Sequence, residues 1–218
     1  MLEMESIKDI EKIIGYTYAD KNVLETAFTH SSYANIKNTK SNERLEFFGD
    51  TLLSTIISEK IYFDVDYAEG NLSKLRSRIV SMEPLAELID NMGLSKYLLY
   101  VGNLTNNMKA DLMEAIIASI YIDSGMENTK KFVSRVFGET VRSMEKLNVL
   151  ADSKSYLQEQ LGNAEIKYTC SKSGLDHSPT FLATVIINGV VSGRGTGSTK
   201  KEAEKKAAAE AIKNLTKV

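Results

Sequence analysis

From residue 1 to about 150, apolar side chains recur at three- and four-residue intervals. Leu45, Phe48, Leu52 and Ile56 form one series, Leu85, Leu88 and Ile89 a second, and Ile116, Ile117 and Ile120 a third. This is the spacing of one buried helix face. No convincing apolar/polar alternation interrupts it, and prolines occur only at positions 84 and 179, so long helices are permitted. The first two thirds of the chain read as all-α.

The pattern changes after Leu150. Lys154 to Leu161 reads as a short helix ended by Gly162-Asn163. Residues 166–170 and 181–187 have strand composition, and Asn188-Gly189 is a hairpin signal leading to Val190-Val191. GRGTGST then introduces an alanine-rich helix, KKEAEKKAAAEAIKNL, whose Thr199 and Glu202 make a capping box. Ala203, Ala207, Ala211 and Leu215 supply a slim stripe to lie on the sheet. The expected fold class is α+β, with an all-α domain over residues 1–147 and an αβββα domain over 151–218. The join falls in a short polar connector between about Ser143 and Asp152.

Composition narrows the functional classes. Of 218 residues, 43% are apolar and 26% charged, which supports buried cores and excludes a largely disordered chain. The longest apolar stretch, Ala115 to Ile122, falls well short of the roughly 20 residues of a membrane span. MLEMESIKDIEK has no apolar h-region, and Cys170 is the sole cysteine. The expectations are a cytoplasmic protein without a membrane partner, an intrachain disulfide or a cysteine metal cluster. The net charge of −2 divides into −5 for residues 1–150 and +3 for 151–218. A polyanion-binding tail behind an acidic body fits that division.

Two helices carry carboxylates in unusual surroundings. At about 100° per residue, Glu43, Glu46 and Asp50 share an arc of roughly 60°. That arc continues as Ile57 and Ile61, so the acids lie on a stripe that becomes buried one turn later. In the other helix, Asp111 and Glu114 are neighbours three residues apart, and from Leu112 to Ile122 every residue besides Glu114 and Ser119 is apolar. Burying such acids without compensation costs several kcal/mol each. A hard, oxygen-seeking divalent cation such as Mg²⁺ compensates them. So would ion pairs with Arg44, Arg76, Arg78 or Lys109, and spacing alone leaves both readings open.

NERLEFFGD (Asn42 to Asp50) resembles the signature of the ribonuclease III family, differing in Phe48, where leucine is usual. LETAFTHSSYAN (Leu24 to Asn35), EGNLSKLRSRIVS (Glu69 to Ser81) and ADLMEAIIASIYIDSG (Ala110 to Gly125) resemble its flanking segments. The tail from Asp152 resembles its double-stranded-RNA-binding domain. The resemblance implies an endonuclease domain followed by an RNA-binding domain, with metal ligands at Glu46, Asp50, Asp111 and Glu114. Asp50 and Glu114 would be catalytic, and Glu43 and Glu69 supporting acids. It implies an Mg²⁺-dependent double-stranded-RNA endoribonuclease, with Mn²⁺ a possible substitute, leaving 5′-phosphate and 3′-hydroxyl ends on ribosomal and other structured precursors. The competing reading is a non-catalytic double-stranded-RNA binder on a nuclease scaffold. A metal-binding bundle unrelated to RNA would leave the tail unexplained.

The same resemblance implies a homodimer in which Phe47 enters the partner subunit; from its helical angle alone Phe47 is as well an ordinary core residue. In the tail, Lys200, Lys201, Lys205 and Lys206 crowd a helix N-terminus, where cations oppose the macrodipole and phosphates are welcome. A solvated Lys/Glu face is the alternative. Proteins read A-form RNA through two minor grooves and the phosphates between them. By resemblance, Gln158 and Glu159 contact one minor groove, the loop around His177 the next, and Lys200, Lys201 and Lys205 the phosphates.

Overall fold

The computed structural model describes residues 2–65, 67–151, 153–175 and 178–215, and the side chains of 144–151, 159, 174–175 and 178 stand outside that description. The chain divides into two compact units, Met1–Arg142 and Ser143–Val218. Every regular element of the described first unit is helical: α1 (Met4–Ile14), α2 (Lys21–Ala27), α3 (Ser31–Lys37), α4 (Glu43–Asp64), α5 (Glu69–Ile79), α6 (Met82–Asn91), α7 (Asn106–Ser124) and the part of α8 (Met126–Ala151) up to Arg142, with a short 3₁₀ turn at Ser95–Tyr97. The apolar series expected to be helical fall on α4, α6 and α7.

Helix α7 is the axle of this unit. Leu112, Met113, Ala115, Ile116, Ile117, Ala118, Ser119 and Ile120 are all fully buried, so the helix is covered on nearly every side. Thr105 caps its start by accepting from the Met108 N–H, and Gly125, at φ +82°, ends it. Helices α2, α4 and α6 pack around it. Ser119, the polar residue inside this core, shares a 2.7 Å hydrogen bond with the buried Tyr18 hydroxyl. No helix among the described residues is long and apolar enough to cross a membrane.

The stretch read as a polar connector is helical: α8 continues through it to Ala151. MEKLNVLA contains neither glycine nor proline and is rich in good helix formers, so nothing local stops the helix.

The second unit has α9 (Ser153–Leu161), β1 (Ile166–Leu175), β2 (Ser178–Ile187), β3 (Val190–Gly197) and α10 (Lys200–Leu215), with an antiparallel sheet of order β1-β2-β3. Asn188 and Gly189 both take positive φ, 48° and 82°, as a two-residue hairpin turn requires. The strands outrun their apolar segments. Ser171 to Leu175 pairs with Leu182 to Ser178 through the backbone, so its side chains need not be apolar. Gly193, Gly195 and Gly197, read as a lead-in to the helix, are the body of β3. A Cβ on Gly193 or Gly195 would stand 2.4 or 2.3 Å from the backbone of Ala207. Alanines on the helix and glycines on the strand bring the two backbones together, burying Ala203, Ala207 and Ala211 with Leu157, Ala183 and Val185. Leu215 does not join them; it is exposed, and Ala208 and Ile212 complete the stripe.

Candidate active site

Glu46 and Asp50 are one turn apart on α4, Asp111 and Glu114 one turn apart on α7, and the two helices meet between them. The contact depends on Gly49: a Cβ there would lie 1.9 Å from the Glu114 carbonyl oxygen and 3.0 Å from its Cα. Only a residue without a side chain lets α7 come this close. Below the acids, the same stripe of α4 continues into buried Ile57 and Ile61, so the carboxylates cap a dry seam.

One carboxylate oxygen from each of Glu46, Asp111 and Glu114 lies within 4.8 Å of the others, all on half-buried residues. Asp50 is exposed but is the foremost charge acting on Glu114. Burial, followed by the charges of Asp50, Glu46 and Asp111, pushes the Glu114 carboxyl up from 4.5 to about 8. Glu46 is raised by burial and then by Asp111 and Glu43, and Asp111 by burial, against a lowering influence from His30. Glu43, at the first position of α4, is exposed and accepts from Ser41 Oγ at 2.9 Å. Glu69 is not one of the close group. It opens α5, exposed, and accepts from Ser73 Oγ at 2.9 Å.

The ion-pair reading of these acids fails. Lys109 is paired with Asp90 at 2.6 Å and Arg76 reaches Ser58. Among the described residues no lysine or arginine forms an ion pair with Glu43, Glu46, Asp50, Asp111 or Glu114. Oxygens around one octahedral Mg²⁺ are at most about 4.2 Å apart, within a side-chain adjustment of the spacing found. The donor set, all hard carboxylate oxygen, fits a divalent cation of that class.

Two neighbours escaped the hydropathy reading. Asn42, the N-cap residue of α4, is only 1% exposed, and neither polar atom of its side-chain amide has a partner among the described residues. His30 caps α3 and is among the influences on the Asp111 carboxyl, lowering it against burial. Periodicity marks neither, because each is a single polar residue at a helix start.

Phe47 is 80% exposed, which removes the core-residue alternative. It borders an open hollow of about 960 Å³, shared with Val23, Leu45, Phe48 and Ile122.

In the second unit Gln158 is exposed, with a long 3.5 Å contact from its amide to the Gly162 carbonyl. The side chain of Glu159, and His177 altogether, lie outside the described residues. At the start of α10, Thr199 Oγ1 accepts from the Glu202 N–H, while the Glu202 carboxylate reaches past Thr199 to Ser198 N and Oγ. Lys206, followed by the bonds from Ser198, holds the Glu202 carboxyl down at about 2. Lys206 is thus occupied, Lys200 is 3.9 Å from Glu204, and Lys205 is half-buried. Lys201 is exposed and, among the described residues, has no carboxylate partner.

A family model described as ribonuclease-III-like matches residues 20–141, and one for the double-stranded RNA binding motif matches residues 153–215. A ribonuclease 3 of Clostridium perfringens is 36% identical across 96% of this chain and 94% of its own length. One from Caldanaerobacter subterraneus is 39% identical across 94% and 96%. Among solved structures, the first unit is similar to the nuclease domain of ribonuclease III from Campylobacter jejuni, whose region involved in dimer formation is described as flexible. That likeness has 32% identity and a TM-score of 0.58, covering 61% of this chain and 96% of that one.

Proposed function

The chain belongs to the ribonuclease III family, and we propose that Glu46, Asp50, Asp111 and Glu114 hold Mg²⁺ for hydrolysis of RNA duplexes. The protein is a double-strand-specific endoribonuclease that works with a divalent metal, and its second unit binds double-stranded RNA. The observation that carries the metal reading is a group of half-buried acids with no cationic partner among the described residues, one of them titrating near 8.

Each residue then has a task. Glu46 and Asp111 neutralise and orient the cation from opposite helices. Asp50, on the exposed side, and Glu114, at the helix contact, would complete the ligand set and are the pair assigned to catalysis. Glu43 and Glu69 are supporting acids at the rim. The bound ion supplies Lewis-acid charge and an activated water; Mn²⁺, with the same preference for hard oxygen, can replace Mg²⁺. In-line attack leaves a 5′-phosphate and a 3′-hydroxyl.

Residues 1–147 are taken as the nuclease domain and 151–218 as the RNA-binding domain, a division supported by the matched ranges. Gln158, Glu159 and His177 reach the minor grooves, and Lys200, Lys201 and Lys205 the phosphates between them. The exposed Phe47 enters the hollow of a second subunit, making a homodimer that cuts both strands. Substrates are ribosomal and other structured precursors, met in the cytoplasm.

End-mapping of labelled duplex RNA after incubation with Mg²⁺ tests all of this together. The expected products are staggered cuts on both strands with 5′-phosphates. Binding without cleavage under either Mg²⁺ or Mn²⁺ would overturn it in favour of a non-catalytic RNA binder.

A further inference from the structure

We propose that Lys154 is a positioning residue for duplex binding: by holding Glu204 it keeps that acid from the lysines at the start of α10 and leaves them to RNA phosphates. The proposal rests on the reading of Lys200, Lys201 and Lys205 as phosphate contacts.

Glu204 stands in an unexpected place. It lies one turn after Lys200 and Lys201 and next to Lys205, so its charge opposes any phosphate those lysines gather. Its side chain is only 13% exposed. There Lys154 Nζ donates to its Oε2 at 2.8 Å, whereas Lys200 stands 3.9 Å from Oε1 with its own side chain 68% exposed. The closer cation comes from α9, and Lys200 stays at the edge of contact.

Lys154 is held in that position by its surroundings. Its ammonium lies 4.4 Å from the centre of the Tyr168 ring on β1, a cation–π contact. The residue before it, Ser153, is fully buried and donates from Oγ to the Lys205 carbonyl at 2.7 Å. Two successive residues at the start of α9 thus grip the turn of α10 that carries Glu204 and Lys205.

Local stability does not account for a lysine here. It is the second residue of α9, where a cation opposes the helix macrodipole, and a partly open ion pair returns little. The other acid at the start of α10 follows the same rule, since Glu202 pairs with Lys206 at 2.7 Å. Glu202 and Glu204 therefore each have their closest cation outside the phosphate set, and Lys201 is left without a carboxylate partner among the described residues.

The test is binding of a labelled RNA duplex to the full-length protein in EDTA, read by fluorescence anisotropy across a salt series. Glu204→Gln removes the charge that Lys154 holds and should tighten binding about 3- to 10-fold at low salt. An acid with only a structural role would give unchanged or weaker binding. Lys154→Met keeps the stem on Tyr168 but leaves Glu204 to the α10 lysines. It should weaken binding about 3- to 10-fold, a gap that narrows as salt rises. In the Glu204→Gln background, Lys154→Met should change affinity by about twofold or less. Should Lys154→Met alone lower the melting temperature, Glu204→Gln with and without it decides, since neither leaves a charge unpaired. Binding that Glu204→Gln fails to tighten, or an equal loss from Lys154→Met in both backgrounds, would overturn the proposal. Unchanged affinity and salt slope in Lys201→Ala would instead take the α10 lysines off the phosphates, sinking the reading beneath it.

Discussion

Replacing Glu114 with glutamine should make the metal-free protein more stable at alkaline pH while abolishing cleavage. The Glu114 carboxyl titrates near 8 because burial and the charges of Asp50, Glu46 and Asp111 oppose its ionisation. A carboxyl raised in the folded state keeps a proton that the unfolded chain has released. Its favourable contribution is complete below pH 4.5 and is lost as pH climbs through about 8. That interval corresponds to at most about 5 kcal/mol. The group is partly open to solvent, and screening reduces the figure to about 2 kcal/mol. Glutamine never ionises, so wild type and variant should melt together in EDTA near pH 5. At pH 9 the variant should melt roughly 4–8 °C higher.

Adding Mg²⁺ should invert the order, because mass action stabilises only the protein that binds the ion. Differential scanning calorimetry across pH, with and without metal, reads both effects. Duplex binding should survive in the variant, since the RNA-binding unit is untouched. A variant less stable than wild type at pH 9, or a gap independent of pH, would refute the charge-crowding account of the site.

Gly49→Ala should cost about 3 kcal/mol or more, because the new Cβ meets backbone at 1.9 Å rather than a movable side chain; a wild-type thermal melt would contradict the helix contact. Phe47→Ala should raise the dimer dissociation constant at least about 100-fold, as a symmetric interface loses two copies of the anchor. Sedimentation equilibrium measures this, and an unmoved constant would remove Phe47 from the interface. Lys201→Ala should weaken duplex binding irrespective of sequence and lower the salt slope by about one; an unchanged slope would take Lys201 off the phosphates.

Periodicity carries a long way here because both units follow their local patterns. The helices around α7 and the three strands before α10 are where the apolar spacing puts them. The misreadings share a cause: the deciding contact lies elsewhere in the chain. Glycine is ordinarily a strand breaker, yet Gly193, Gly195 and Gly197 form a strand because the alanine face of α10 needs their bare backbone. Gly49 likewise weakens α4 as a local sequence, and its purpose appears only when Glu114 is set against it. Leu215 fits the helical stripe by angle but, as the last residue of α10, is exposed. His30 and Asn42 have no periodic partners and so no signature in hydropathy.

The acids were legible for the opposite reason, since their oddity is local. Glu43, Glu46 and Asp50 sit on an arc that a few residues later is Ile57 and Ile61, both buried, and Glu114 sits among buried Leu112, Met113, Ala115 and Ile116. A chain selected for stability alone would place apolar or neutral residues along such a seam. Instead the close approach at Gly49 presses one carboxylate helix against another. The crowding is set by the packing, because the close approach of Gly49 to Glu114 fixes the two backbones that carry the half-buried acids. A divalent cation relieves it at the same place where RNA hydrolysis requires positive charge. Metal affinity and fold stability are therefore coupled through one helix contact, so a substitution that widens the α4–α7 spacing should lower both together.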